Sequence, residues 1–284
     1  MFEHREEWPI TVMAPVLHVS PSGYYSWRDK PNSPRHDQDA KYQLVIRKIF
    51  DESHQTYGSP RIHQEMLLMG YRVGKKRIER LMREMGIAAV HTRKKKVPRT
   101  TTVDPHAQYA PNLLDRDFIA EKPNEKWVGD ITYIYTQEKG WCYLATVIDL
   151  FSRRVVGWST SEYIDADLVC DAFKKAILQR GSHEGLLFHS DRGSQYTSKA
   201  FRALLGSVNC QQSMSGTGDC YDNAVAESFF HSLKVEWVHL KNYQTHAEAH
   251  QSVFHYIEGF YNTHRRHSTI NYLSPVEWER QHAA

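Results

Sequence analysis

Two runs decide the fold: KWVGDITYIYT, residues 126–136, and WCYLATVIDLF, residues 141–151. Both are rich in β-branched and aromatic residues, and the short polar segment Gln137 to Gly140 between them marks a hairpin. Working outward, residues 154–161 predict a third strand. Residues 165–180 predict a helix whose apolar stripe is Leu168, Val169, Ala172, Phe173, Ala176 and Ile177. Residues 185–189 read as a short buried strand running into Ser190-Asp191, residues 198–205 as a helix and 210–214 as a strand. A long helix starts at Asn223 and runs to about Val238. Three antiparallel strands followed by alternating helices and strands predict an α/β unit, a mixed sheet flanked by helices. The chain contains no internal repeat and no low-complexity run.

Three acids stand out in this frame. Asp130 interrupts the apolar strand, and a carboxylate buried without a partner is costly. Asp191 ends a short apolar strand in HSDRGSQY, and Glu227 lies one turn into the helix of DNAVAESFF. Taken singly, each could be a cap or one half of a salt bridge, and Asp149 in the second strand shows how easily an acid imitates a ligand. As a set, strand ends and a first helical turn can bring three carboxylates to one edge of a sheet. Such a set repels itself unless a cation intervenes, and hard divalent ions prefer oxygen ligands. Paired metals are the recurrent solution for in-line phosphodiester chemistry.

The N-terminal part is helical and basic. Leu44, Ile46, Ile49 and Phe50 recur at helical spacing; Ser59-Pro60 reads as an N-cap and first-turn proline; a second helix runs to Met69 and stops at Gly70. After a turn at residues 71–74, a third helix spans residues 75–85 with Ile78, Leu81 and Met82 inward, ended by Gly86. It carries Lys75, Lys76, Arg77, Arg80 and Arg83. This matches a helix-turn-helix; a plain helical bundle with a solvated basic face is the other reading of the same pattern. Residues 91–124 contain Arg93, Lys94, Lys95, Lys96 and several prolines, as expected of a basic linker that tracks a DNA backbone.

The 284 residues carry a formal net charge of only +3, with 40% hydrophobic and 24% charged residues, which excludes a disordered or fibrous chain. The modest total hides asymmetry. Residues 1–124 hold 21 Lys and Arg against 15 Asp and Glu, and residues 125–284 hold 15 against 18. A basic front and an acidic rear suit a protein that grips phosphate with one part and works on it with another. No run is long and apolar enough for a membrane helix, no signal peptide is visible at the N-terminus, and four scattered cysteines without a CxxC pair suit reduced cytosolic thiols.

The runs WVGDITYI, HSDRGSQYTS and SMSGTGDCYDNAVAESFFHSLKVE resemble the catalytic core of DDE transposases and retroviral integrases. Thirty-five residues lie between Asp191 and Glu227, as between the second and third acids of that superfamily. The resemblance is closest to bacterial insertion-sequence transposases of the IS-three family, second reading frame product, and covers nearly the whole chain. VLHVSPSGYYSW (residues 16–27) is similar to the family's opening segment. YGSPRI (57–62) through RLMREMGI (80–87) is similar to its helix-turn-helix, and YNTHRRHS (261–268) with Leu273-Ser274-Pro275 to its C-terminal end.

The resemblance implies a ribonuclease-H-like integrase core with a five-stranded sheet. Asp130, Asp191 and Glu227 would then be both catalytic residues and metal ligands, for Mg²⁺ or Mn²⁺ and two ions per site. It also implies that Lys234, two turns beyond Glu227 on the same helix face, contacts DNA near the cleaved end. The expected reaction is hydrolysis at the element's ends followed by attack of the freed 3′-hydroxyl on a second phosphodiester. It needs no covalent protein–DNA intermediate, and so no nucleophilic Tyr or Ser. The implied partners are double-stranded DNA (terminal inverted repeats and target), further copies of the chain assembled on it, and a first-frame protein joined by frameshifting; no membrane is involved. No cysteine precedes Cys142, so the zinc module of retroviral integrases is not expected, and no heptad run of the first-frame kind is present. The expected place is the bacterial cytoplasm, with the nucleoid. The expected divisions are an opening segment at 1–38, the helix-turn-helix-like domain at 39–90, the basic linker at 91–124, the catalytic core at 125–240 and a helical end at 241–284. A nuclease on the same fold, or a non-enzymatic DNA-binding regulator, would share most of these features.

Overall fold

In the computed structural model, which describes residues 1–29, 34–90, 109–181, 184–216 and 220–282, the two decisive runs pair along most of their length. Strand β1 (Lys126–Thr136) lies antiparallel to β2 (Gly140–Asp149), from Trp127 opposite Asp149 to Thr136 opposite Gly140. Gly140, at φ +76°, supplies the left-handed residue that closes the hairpin. Strand β3 (Val155–Ser161) continues the antiparallel sheet. β4 (Leu187–Ser190) then pairs parallel with β1, and β5 (Gln211–Met214) parallel with β4. The order β3-β2-β1-β4-β5 is a mixed five-stranded sheet of the ribonuclease-H-like kind.

The chain divides into two compact units, Met1–Ala88 and Ala89–Ala284. The first is helical: α1 (Ile10–Val16), α2 (Pro21–Arg28), α3 (Pro34–Glu52), α4 (Ser59–Leu68) and α5 (Lys75–Glu84). Ile46, Ile49, Phe50, Ile62, Met66, Ile78, Leu81 and Met82 form its buried interior. Two expectations change. Leu44 points outward, and Tyr42 takes the place on the inner face of α3. Gly58, not Ser59, is the N-cap residue of α4. Ser59 and Pro60 both fall in the first turn, where backbone N–H groups have no helical acceptor and proline loses nothing. Gly70, at φ +84°, ends the α4 segment as expected.

In the second unit, α6 (Ala166–Arg180) packs across β3 and β2. The approach is close enough that a Cβ on Gly157 would lie 2.3 Å from the Ala172 carbonyl oxygen. Trp127, Phe173, Phe188 and Phe201 fill the core beneath it, each worth roughly 1.5–3 kcal/mol of burial. Next come α7 (Ser194–Thr197) and α8 (Lys199–Ser207), the latter capped by Ser198, and a 3₁₀ turn, Cys220–Asn223. The C-terminal part is α9 (Ala224–Glu236), α10 (His246–Phe254), a π-helical continuation His255–Tyr261, and α11 (Pro275–His282). Both α9 and α10 pack against β1. Among the described residues, no helix is long and apolar enough to cross a membrane.

The stretch expected to be a linker to residue 124 is not uniform. Residues 91–108, with Arg93, Lys94, Lys95 and Lys96, lie outside the described residues. From Tyr109 on, the chain is built into the second unit: Tyr109 and Ala110 pack on its core, Leu114 is buried, and the Leu113 and Leu114 N–H groups donate to Ser213 Oγ.

Candidate active site

β4 is short and pairs with β1 only through Lys126–Val128, so β1 runs on past its neighbour. Asp130 sits just beyond this step, and Asp191 directly follows the last residue of β4. The topology therefore puts the two aspartates side by side. Gly129 makes the approach possible: a Cβ there would meet the Phe188 ring at 2.4 Å. The Gly193 N–H donates to Asp191 Oδ1 (3.0 Å), holding that carboxylate at the turn. Glu227 arrives from the first turn of α9, whose start is pinned to β1 by Asn223: its Nδ2 donates to the Gly129 carbonyl oxygen at 3.2 Å.

The electrostatics follow from this crowding. Burial, then the neighbouring charge of Asp191, push the Asp130 carboxyl up to about 8; Glu227 adds to the rise, while the Ile131 N–H and Lys234 oppose it. Burial also raises Glu227. Lys234, half-buried on α9, is lowered by burial and supported by Asp130, and its ammonium lies 4.3 Å from the centre of the Tyr133 ring. Tyr196 is buried near both aspartates, and desolvation holds its hydroxyl protonated. Among the described residues, no group of three or more His, Cys, Asp and Glu side chains is placed to hold a metal ion, the three acids included. The acids share a field rather than a point. An all-oxygen donor set in a negative, partly desolvated field is the chemistry that a hard divalent cation fits.

Sequence reading missed the frame behind the acids. Ser213 Oγ accepts the Leu113 and Leu114 N–H groups, so its own proton goes to His189 Nδ1 at 2.8 Å. His189 Nε2–H then donates to Ser215 Oγ (3.2 Å), which donates to the Ser190 carbonyl oxygen. This fixes the neutral tautomer, and burial pushes the imidazole down to about 4. Asp222 ties the segment before β1 to the loop before α9: Oδ2 accepts from Asn112 Nδ2 and the Gly216 N–H, Oδ1 from Arg116 Nε. The signal available was position alone, a His two residues before one acid and an Asp-Asn pair just before the other. Asp149 proves structural: its oxygens accept the Asn124 and Phe151 N–H groups at a tight turn.

The basic residues of α5 divide. Lys75, Lys76 and Arg83 are exposed, with Lys75 near Glu79. Arg77 Nε donates to Asp39 Oδ1 (2.6 Å), and Arg80 bridges Asp39 and Glu84 (2.7 and 2.6 Å).

The chain is 42% identical over 287 aligned positions, 99% of its own length and 98% of the relative's, to the transposase InsF of insertion sequence IS3A of Escherichia coli (strain K12). It belongs to the IS3-family transposases. A second relative in this family, the transposase of insertion sequence element IS904 from Lactococcus lactis subsp. lactis (strain IL1403), is 41% identical over 83% of the chain and 92% of that protein. Residues 36–96 match the HTH-like domain, and residues 120–220 and 227–282 match two integrase core domain families. As an IS3-family transposase the chain is an enzyme with a DDE-type integrase core behind an HTH-like domain. Solved structures similar to it include a simian T-cell lymphotropic virus intasome in complex with PP2A regulatory subunit B56 gamma (14% identity, TM-score 0.47, 84% of this chain and 75% of that one). Another is the trimeric HTLV-2 integrase catalytic core domain in complex with magnesium (19% identity, TM-score 0.41, 55% and 96%).

Proposed function

We propose that this transposase cuts and rejoins DNA at the ends of its insertion sequence through Asp130, Asp191 and Glu227, which hold two Mg²⁺ or Mn²⁺ ions. The observation that carries it is the step between β1 and β4, which sets two aspartates side by side, with the charge of the helix glutamate reaching Asp130. Bound there, the divalent ions would polarise the phosphodiester and stabilise the attacking and leaving oxygens. The chain's own residues orient: Gly193 N–H fixes the Asp191 carboxylate, Asn223 fixes the start of α9 relative to Asp130, and Lys234 offers a cation to a phosphate beside the acids. Lys75, Lys76 and Arg83 on α5, with Arg93, Lys94, Lys95 and Lys96, hold duplex phosphates, while Arg77 and Arg80 hold α5 in place through Asp39. The HTH-like unit spans 39–90 and the catalytic region runs to the C-terminal helices. Copies of the chain assemble on inverted terminal repeats and target DNA in the bacterial cytoplasm, at the nucleoid, and a first-frame protein fused by frameshifting completes end recognition.

The test is Asp191→Asn incubated with Mn²⁺ and DNA bearing the sequences that flank the gene. Nicking and joining are expected to fall by at least about a thousandfold while duplex affinity stays near that of the parent. Equal activity in variant and parent would remove Asp191 from the catalytic set.

A further inference from the structure

The hairpin that carries Asp130 is bridged to Tyr243 and Gln244 at its far end, yet one face of that end is uncovered. Alternate residues share a face, and on the face of Trp127 and Ile131 the far end of the β1–β2 ladder is aromatic: Tyr133 opposite Tyr143 and Tyr135 opposite Trp141. Helix α6 packs over β3 and β2, yet Tyr135 and Trp141 stay 53% and 44% exposed. The rings are ordered against one another, with Tyr133 4.8 Å and Tyr135 5.2 Å from Trp141 between centroids, both edge-to-face. At the inner end of the strip sits the Lys234 ammonium, over the Tyr133 ring and within the field of Asp130. The Tyr133 hydroxyl is buried and has no hydrogen-bond partner among the described residues.

Two exposed rings, joined through the partly buried Tyr133 to a cation, have the two complements of a nucleotide, a π-face for the base and a positive charge for the phosphate. An exposed apolar strip of this kind also marks an interaction surface in its own right. The order along the strip fixes the occupant further. The cation lies between the rings and the acids, so a strand whose phosphate meets Lys234 near the acids carries its next bases onto Tyr133, Trp141 and Tyr135. Paired bases present edges rather than faces to a groove, so the strip suits unpaired ones. Resting on the reading that a DNA end is held at Asp130, Asp191 and Glu227, we infer that the Tyr133–Trp141–Tyr135 strip is a stacking platform for unpaired bases of single-stranded DNA at that end, with Lys234 holding the adjoining phosphate.

The experiment measures two affinities of the full chain in EDTA, for a blunt 30-base-pair duplex and for the same duplex with its last three pairs mismatched. The parent is expected to prefer the frayed end by about tenfold. Trp141→Ala and Tyr135→Ala should bring the ratio of the two affinities close to one, and Trp141→Phe, which keeps a ring, should retain most of it. Tyr135 is over half exposed, so its variant folds even where the Trp141→Ala protein melts early. A parent without preference, or a ratio that survives both alanine variants, overturns the platform. So does a drop in oligomeric mass on sedimentation with the ratio kept, which would assign the strip to a second copy of the chain. The ratio is read without metal, so it stands apart from the cleavage test: nicking by Asp191→Asn equal to the parent would break the catalytic reading and leave the ratio measurable.

Discussion

Two sets of acids in the second unit, one buried and one only partly so, have opposite surroundings. Glu236, at the end of α9, receives Arg265 as a fork (2.6 and 2.7 Å) and the Tyr256 hydroxyl. Glu279 on α11 takes Arg154, Arg180 and Ser152, and these partners, led by Arg180, hold its carboxyl below the ordinary range despite burial. Asp130 is instead pushed up to about 8 by desolvation first and by the charges of Asp191 and Glu227 after it, against the Ile131 N–H and Lys234. Both sets lie in one folding unit, yet one is satisfied and the other is frustrated. Glu236 braces the helix that carries Glu227 and Lys234, and Glu279 ties α11 to the β2–β3 turn and α6; the frustrated acid faces the place where, on the proposed reading, a cation and a phosphate would meet. Uncompensated charge of this kind is what stability given up at the proposed catalytic site would look like.

The largest expected effect tests that trade directly. Asp130→Asn should lower metal-dependent strand cleavage by at least about a thousandfold and at the same time raise Tm by several degrees. The sign follows from linkage. With its folded pKa raised above the unfolded value near 3.8, the group favours the native state in its protonated form. Its cost is absent in acid, grows as pH rises past about 4 and is complete above about 8. Thermal melts of parent and variant should therefore diverge more at pH 8.5 than at pH 5. Equal melting at both would mean that the carboxylate is not under electrostatic load. Added Mn²⁺ should stabilise the parent more than the variant.

At the satisfied end, Arg265→Ala leaves Glu236 buried without its counter-ion, which costs roughly 3–5 kcal/mol. Activity should fall with it, because α9 loses its anchor to the run after the π-helical turn. Replacing both partners, with Glu236→Gln added, should recover part of the stability, and a double-mutant cycle measured by urea unfolding gives the coupling. If Arg265→Ala melts like the parent, the brace is dispensable and the contrast with Asp130 fails.

Much of this was legible in the chain. The strand run at 126–136 coincides with β1, and the other core strands and helices fall within a few residues of expectation, because turn residues and apolar periodicity agree there. The three proposed acids stand out in sequence because Asp130 interrupts an apolar strand, Asp191 ends one and Glu227 lies one turn into a helix. What stayed hidden depends on long-range geometry. Glu236, Arg265 and Tyr256 are 29 and 20 positions apart in sequence and meet only when α9 folds against the C-terminal helices. Asp149 looks like Asp130 in sequence, and only the Asn124 and Phe151 N–H groups at its turn tell them apart. Leu44 has helical spacing but faces outward, since spacing gives a face without saying which residue on its margin is covered.

The smallest effects come from carrying the same criterion into the helical unit. There the exposed cations of α5, Lys76 and Arg83, lie one heptad apart on one face, while Arg77 and Arg80 converge on the half-buried Asp39. Cations matched to an acid hold structure; cations without a matching acid among the described residues are the ones expected to release counterions when DNA binds. Changing Lys76 or Arg83 to Gln should lower the slope of log K against log salt by about 0.9 each. Arg77→Gln should change that slope little and lower Tm by a few degrees, because Asp39 loses one arm of its clamp. Electrophoretic or fluorescence titrations between about 50 and 200 mM salt separate the two classes. A slope that drops as much for Arg77 as for Arg83 would mean that Asp39 releases its arginine to phosphate, and that ion pairing within the fold does not predict which cations of α5 meet DNA.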